Sequence, residues 1–378
     1  MEKHRTCARC VLDSTVPSVT FDEKGVCNHC KLHDKLEEQY KINDENKKKF
    51  EKILEVIKLK GKKNKYDCLI GLSGGIDSTY CLYIAKQLGL RPLAVHYDNG
   101  WVTDVAKKNI QKTVQRLNVD IREVGSSHED IMRYHRACIR ASIPETCMPC
   151  EVGIVSAIYD VAVKENIKYI ILGTSFRTEG INPLRWHYLD GAYFNDVLRK
   201  FDKLDDKARK FNKLTISKMF YYIVVKGIKS IQLPLYINYR NDNIKEKLKE
   251  ELGWEYGGRA HFDCCYKPFG GKIEARFERN PVKTLLSALV RTGEMTRAEA
   301  LAKLNEPYSA EDTNSVDYCK EKLGLTDEEI QKIMKLEPKT FLDFKTYFPL
   351  VNMLRGPIKL CCKLNILPET MYEKLFMV

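Results

Sequence analysis

No run of eighteen apolar residues occurs in this chain of 378, so no segment reads as a membrane-spanning helix. No secretory leader is expected either, because Met1-Glu2-Lys3-His4-Arg5 runs into cysteine instead of an apolar core. There is no internal repeat and no low-complexity linker. The phosphate loop G-x-x-x-x-G-K-[ST] is also absent, which argues against hydrolysis at a γ-phosphate. What these absences leave is a globular, cytoplasmic protein that does not engage a membrane, 44% apolar and long enough for two or three buried cores. In such a chain fourteen cysteines point to metal ligands or reduced core thiols, because the cytosol disfavours structural disulfides.

Acidic residues are in the minority, 51 against 63 Lys and Arg, for a net charge of +12. Much of the excess is dilute, at Asn46-Lys47-Lys48-Lys49, at Lys58 to Lys63, and around Arg199 to Lys213 where acids are interleaved. Like-charge blocks more often solvate a surface than bind a polyanion. Nucleic acid is therefore not the expected partner, and a site for phosphate or an acidic sugar accounts for the charge as well.

What is present begins with Cys7-x-x-Cys10 and Cys27-x-x-Cys30 in a short, strand-rich stretch with turns at Val16-Pro17 and Asp22 to Gly25. Four thiolates at that spacing form a closed tetrahedral site, suited to structural Zn²⁺ because no position is left for water. The reading is a zinc ribbon over residues 1–35, a connecting helix over 36–64 with Phe50, Ile53, Leu54 and Ile57 on one face, a nucleotide domain over 65–235, and a mostly helical region over 236–378. In the last region Thr296-Arg297-Ala298-Glu299 and Thr326-Asp327-Glu328-Glu329 each match a capping box.

The nucleotide domain opens on Tyr66-Asp67-Cys68-Leu69-Ile70-Gly71-Leu72-Ser73-Gly74-Gly75-Ile76-Asp77-Ser78. An apolar strand runs into a glycine-paired, hydroxyl-rich turn and then a helix. Gly74 and Gly75 let backbone approach phosphate, Ser73 and Ser78 add hydroxyls, and the helix N-terminus adds partial positive charge. An ordinary glycine turn after a strand is the plainer alternative. Expected strands at Tyr66–Leu72, Arg91–Tyr97, Val119–Val124 and Lys168–Gly173 alternate with helices from Ser78, Val105 and Cys150. That spacing predicts an α/β fold built on a doubly wound parallel sheet, with ligand at the carboxyl ends of the strands. Backbone near Val95 and His96 is then placed for adenine, Asp98 for ligand or metal, and Gly173 with Thr174 for a second nucleotide contact. Asp98 can equally be a turn or helix cap. Asp77 beside a triphosphate makes electrostatic sense if it engages Mg²⁺ or positions a donor, and it is compatible with capping the helix.

Two further groups stay open on the residues alone. Cys147-Met148-Pro149-Cys150 stands at a helix mouth, where the dipole stabilises a thiolate. With Cys264 and Cys265 it reads as a second metal or iron–sulfur site, as a redox pair, or as buried thiols. Arg177, Glu179, Asn182, Arg185 and His187 read either as an anion-recognising substrate loop or as a solvated loop anchored by Trp186, and Arg276 with Arg279 repeat the idea more weakly.

Ser73-Gly74-Gly75-Ile76-Asp77-Ser78 resembles the PP-loop of the ATP pyrophosphatase superfamily (HUP-like), whose members cleave ATP between the α- and β-phosphates. Together with Cys7 to Pro17, Phe21 to Cys30, Arg91 to His96, Trp254-Glu255-Tyr256-Gly257-Gly258 and Gly293 to Leu301, the chain is similar to the N-acetyl sugar amidotransferase family over most of its length. The resemblance implies ATP, Mg²⁺ and Zn²⁺ as cofactors. It implies conversion of an acetamido group on a bacterial surface sugar to an acetamidino group, and ammonia from a partner glutaminase, of which this chain shows no recognisable domain. Cys147-x-x-Cys150 and the segment Arg259 to Phe277 depart from the family pattern and suggest a branch acting on a nonulosonic acid of the pseudaminic type. They also resemble the iron–sulfur tRNA thiolases, which makes a tRNA sulfurtransferase the alternative, although many thiolases carry lysine where this chain has Ile76.

Overall fold

The run from Cys68 into Leu72 is buried on alternating faces. Cys68, Ile70 and Leu72 pack with Leu82, Ala94 and Ile171 on one side, while Leu69 packs with Leu93, Val95 and Ile170 on the other. Such a strand is stable only in the middle of a sheet covered twice. In the computed structural model, which describes residues 5–239, 241–259, 261–306, 310–363, 367 and 369–376, that strand is β1 (Cys68–Gly71). It is flanked by β2 (Pro92–Asp98), β3 (Ile121–Gly125), β4 (Tyr169–Leu172) and β5 (Lys229–Gln232) in the order β3-β2-β1-β4-β5, all parallel.

The order reverses between β1 and β4. Crossovers leave β1 towards β2 on one side and return to β4 on the other, so the loop after β1 opens into a crevice. Helices α1 (Asn28–Gln39) and α2 (Asp44–Gly61) precede the sheet, and α3 (Ile76–Gln87), α4 (Asp104–Leu117), α5 (His128–Arg140) and α6 (Met148–Lys164) make the connections up to β4. This is the doubly wound α/β architecture that the alternation of elements required.

Three elements differ from the sequence reading. The single helix expected over 36–64 is two, because α1 starts inside the second cysteine knuckle and Asn43 caps α2 by accepting from the Asn46 N–H. The amino-terminal stretch is held by isolated bridges, Thr6 to Asp13 and Phe21 to Cys27, instead of strands. β5 went unread because Lys-Ser-Ile-Gln is a short polar edge strand with no apolar alternation to betray it. Both expected capping boxes form, at Thr296 with Glu299 and at Thr326 with Glu329.

Candidate functional site

The loop after β1 is fastened from behind. The Gly74 carbonyl accepts from Asn109 Nδ2 of α4 at 3.2 Å and from Trp254 Nε1 at 3.0 Å. Gly74 lies at φ +83°, and a Cβ there would fall 2.4 Å from the Ala106 carbonyl oxygen. In front, Ser78 Oγ accepts from the Ser73 N–H at 3.2 Å and pairs with Ser73 Oγ at 3.1 Å, while the Gly75 N–H points to Ser73 Oγ at 3.3 Å. With Gly75 as N-cap, α3 directs its first amides into the same space. Backbone donors, two hydroxyls and a helix N-terminus converge on one point, the arrangement that binds a polyphosphate.

Acids gather around it. Burial, helped by the charges of Glu179, Asp263 and Glu294, pushes the Asp77 carboxyl up to about 7, while the Tyr239 phenol, which donates to Asp77, works the other way. Asp263 lies against the loop itself, its Oδ2 3.1 Å from where a Gly75 Cβ would be. Carboxylates that repel one another beside a phosphate cradle fit a divalent cation, whose charge would relieve the repulsion. Raising the pKa of a buried acid means that ionising it opposes folding. The stability Asp77 allows is therefore full below about pH 4, its ordinary range, and falls as pH rises through 7. Asp77→Asn should raise the melting temperature of nucleotide-free protein at pH 8 and leave it unchanged at pH 4, as thermal melts at the two pH values would show.

Other expected site residues are placed differently. Asp98 closes a turn, accepting from the Gly100 N–H at 2.8 Å and facing His128 Nε2 at 3.1 Å. The charges that bear most on Asp77 are those of Glu179, Asp263 and Glu294. The Val95 carbonyl accepts from the Leu72 N–H, and His96 Nδ1 pairs with the Leu72 carbonyl at 3.0 Å, so both groups brace β1 against β2. A Cβ on Gly173 would lie 2.6 Å from the Asp77 carbonyl oxygen, so this glycine serves the packing of β4 on α3. The Thr174 carbonyl accepts from Gln232 Nε2.

Arg177 is withdrawn from any substrate. It is buried, and its guanidinium makes five hydrogen bonds: two to the Glu37 carboxylate and one each to the carbonyls of Pro234, Leu235 and Tyr40. Arg177→Ala should cost about 3 kcal/mol, since three carbonyls and a carboxylate lose their donor. The melting temperature would drop accordingly, whereas that of Arg185→Ala, at an exposed position, should stay put. His187, an exposed residue, is held above its ordinary pKa by Glu145, 2.8 Å away. Arg279 is neutralised between Glu145 at 2.7 Å and Glu274 at 2.5 Å, and Arg276 donates to the Ile333 carbonyl. Neither arginine is directed at a ligand.

The thiols divide. Burial pushes Cys147 and Cys150 well above the ordinary thiol range, against the pull of the helix mouth. Trp101 Nε1 donates to His135 Nε2 at 3.1 Å, which leaves His135 Nδ1 to donate to the Thr146 carbonyl at 2.9 Å. Cys150 Sγ lies 3.3 Å from the same Nε2, whose one lone pair already accepts from Trp101. Cys264 is pushed up to about 11 by burial, and Cys265 turns to Cys319. Among the described residues no three of Cys147, Cys150, Cys264 and Cys265 bring their sulfurs within 4.8 Å of one another, although Cys264 stands near enough to bear on both Cys147 and Cys150. Lys267, which sequence reasoning passed over, stands near enough to oppose the effect of burial on both Cys147 and Cys150, and has no ion-pair partner among the described residues.

Cys7, Cys10, Cys27 and Cys30 behave otherwise. All four are fully buried, with Sγ atoms within 4.8 Å of one another, 3.9 Å for Cys7 to Cys30 and 3.7 Å for Cys10 to Cys27. A tetrahedron with metal–sulfur bonds of about 2.3 Å has edges of about 3.8 Å. The backbone N–H groups of Arg9, Cys10 and Cys27 all point at Cys7 Sγ at 3.3 to 3.4 Å, as thiolate sulfur would require. The four sulfurs could hold a metal ion without rearrangement.

Residues 274–355 match the family model described as LPS biosynthesis protein WbpG-like, C-terminal domain. An uncharacterised protein of Methanocaldococcus jannaschii, MJ1599, is 29% identical over 80% of this chain and 93% of its own length. The 7-cyano-7-deazaguanine synthase of Campylobacter jejuni subsp. doylei is 27% identical over 50% of this chain and 81% of that enzyme. Among solved structures, the U34-tRNA thiolase NcsA of Methanococcus maripaludis, described with its [4Fe-4S] cluster, aligns over 88% of this chain and 90% of its own at 14% identity and a TM-score of 0.33. No helix among the described residues is long and apolar enough to cross a membrane.

Proposed function

We propose that this chain, a PP-loop protein with a WbpG-like C-terminal domain, is an ATP-dependent, AMP-forming amidotransferase that converts an acetamido group of a surface sugar or nonulosonic acid into an acetamidino group. The observation that carries the reading is the loop of Ser73, Gly74, Gly75 and Ser78 with Asp77 at its helix start, Asp263 against Gly75, and the charges of Glu179 and Glu294 bearing on Asp77, in one chain with that C-terminal match.

The amide oxygen of the substrate attacks the α-phosphorus; an oxygen–phosphorus bond forms, the bond to the β-phosphate's bridging oxygen breaks, and pyrophosphate leaves. Ammonia then adds to the imidate carbon, the carbon–oxygen bond to AMP breaks, and a proton is released. The loop amides and both serine hydroxyls hold the departing phosphates, and Asp77 with Glu179 would hold Mg²⁺, which supplies charge neutralisation on the leaving pyrophosphate. Ammonia would come from a partner glutaminase, and Zn²⁺ would occupy the four-cysteine centre as a structural ion.

The test is AMP and pyrophosphate release from purified protein with MgATP and ammonium over a panel of acetamido sugars and nonulosonic acids. The product should be lighter by about one mass unit, and ¹⁸O placed in the acetamido carbonyl should appear in AMP. AMP release that depends on tRNA and a sulfur donor, with no sugar dependence, would instead establish the sulfurtransferase alternative.

A further inference from the structure

Arg291 lies in the helix Pro281–Thr292, within the WbpG-like segment, yet its guanidinium is buried against the amino-terminal cysteines. Nε donates to Cys30 Sγ and Nη2 to Cys10 Sγ, both at 3.3 Å. Arg297 adds Nε bonds to the Cys7 and Cys10 carbonyls at 3.1 Å, Ser287 Oγ accepts from the Val11 N–H, and Lys283 meets Asp13 at 2.6 Å. Val11, Leu286 and Ala300 close an apolar contact beneath them.

A divalent ion on four thiolates leaves two negative charges in a buried place. Arg291 offers one positive charge and two N–H groups aimed at two of the sulfurs, which offsets part of that excess. Four neutral thiols offer a buried guanidinium far less, so docking of this helix and filling of the metal centre favour one another.

The same interface holds one wall of the phosphate site. Trp186 sits in the core formed by the four cysteines, and His33 of α1 packs edge-on against Phe176 at 5.2 Å. On the other side Thr284 Oγ1 donates to Asn182 at 2.7 Å, and Gly180, at φ +75°, lets its backbone pass where a Cβ would be 2.5 Å from the Thr284 carbonyl oxygen. The segment from Ser175 to His187 is thus gripped between the cysteine centre and the helix that Arg291 anchors. It carries Glu179, and the same helix ends two residues before Glu294; both acids bear on Asp77.

We propose that Arg291 is a positioning residue that couples metal occupancy of the four-cysteine centre to the placement of Glu179 and Glu294 beside the phosphate loop. The ribbon is a buttress for the active-site wall, with its Arg291 face spent inside the protein.

The full chain, loaded with Zn²⁺ or Co²⁺, tests this without any substrate, so its outcome is independent of the reaction proposed above. Competition with a chromophoric chelator should show Arg291→Met weakening Zn²⁺ binding 10- to 100-fold, with Arg291→Lys in between. The sulfur-to-cobalt charge-transfer band should shift in Arg291→Met. Hydrogen exchange should accelerate over 175–187 and 281–292, both in that variant and in chelated wild type, while β1 and β2 keep their protection. Zinc affinity within threefold of wild type, or protection lost equally in β1 and β2, would overturn the proposal: the first removes the coupling, and the second makes the ribbon a general prop of the fold.

Discussion

Gly74→Ala should reduce kcat/KM for MgATP by at least about 100-fold, the scale on which a misplaced binding group of about 1 Å acts. The backbone at φ +83° already disfavours any side chain, by about 1–2 kcal/mol. The larger effect is steric, since the new methyl would lie 2.4 Å from the Ala106 carbonyl oxygen and 2.9 Å from the Ala106 Cα. The loop cannot retreat from that clash without giving up the bonds from Asn109 and Trp254 to its own carbonyl. It must move forward, into the space a phosphate would fill. Initial rates of AMP release against ATP concentration would measure the loss, and a variant within threefold of wild type would mean that the loop does not cradle ATP.

Asp77→Asn should lower kcat by about 100- to 1000-fold, the range seen when one preorganised electrostatic group is removed from a site of charge transfer. An amide keeps the shape and can still pair with Tyr239, but it cannot carry the negative charge that a cation would need. The comparison that makes the result specific is Asp98→Asn. Its bond from the Gly100 N–H survives an amide, so that variant should stay within about threefold of wild type. Measured side by side at pH 8, the pair separates a carboxylate required for charge from one required for a turn. Equal losses would return Asp98 to the site.

Where the sequence was legible, the signal was local. Two C-x-x-C pairs can be recognised because a metal knuckle is closed within a few residues, and Ser73 to Ser78 because strand, glycine turn and helix start follow one another directly. The capping boxes at Thr296 and Thr326 are three-residue events and were legible for the same reason. Asp98 and Arg177 were not legible because a carboxylate at a strand end or an arginine in a loop looks alike whether it meets a ligand or the protein's own backbone. Only their partners distinguish the cases, and those of Arg177 come from positions 137 to 140 residues before it and 57 to 58 after it.

The sequence by itself determined the sheet class, the cluster of four cysteines and the strand, glycine turn and helix start at Ser73 to Ser78, because alternation, spacing and turn chemistry act between neighbours along the chain. The tertiary structure decided the rest. It brought Asp263 and Glu294 to Asp77, pinned the loop with Asn109 and Trp254, separated Cys150 from Cys265 by giving each a different partner, and set Arg291 on the ribbon sulfurs. Each of these depends on contacts between groups far apart in sequence, and a single chain carries no local signal of which distant residue will close the space around a charge.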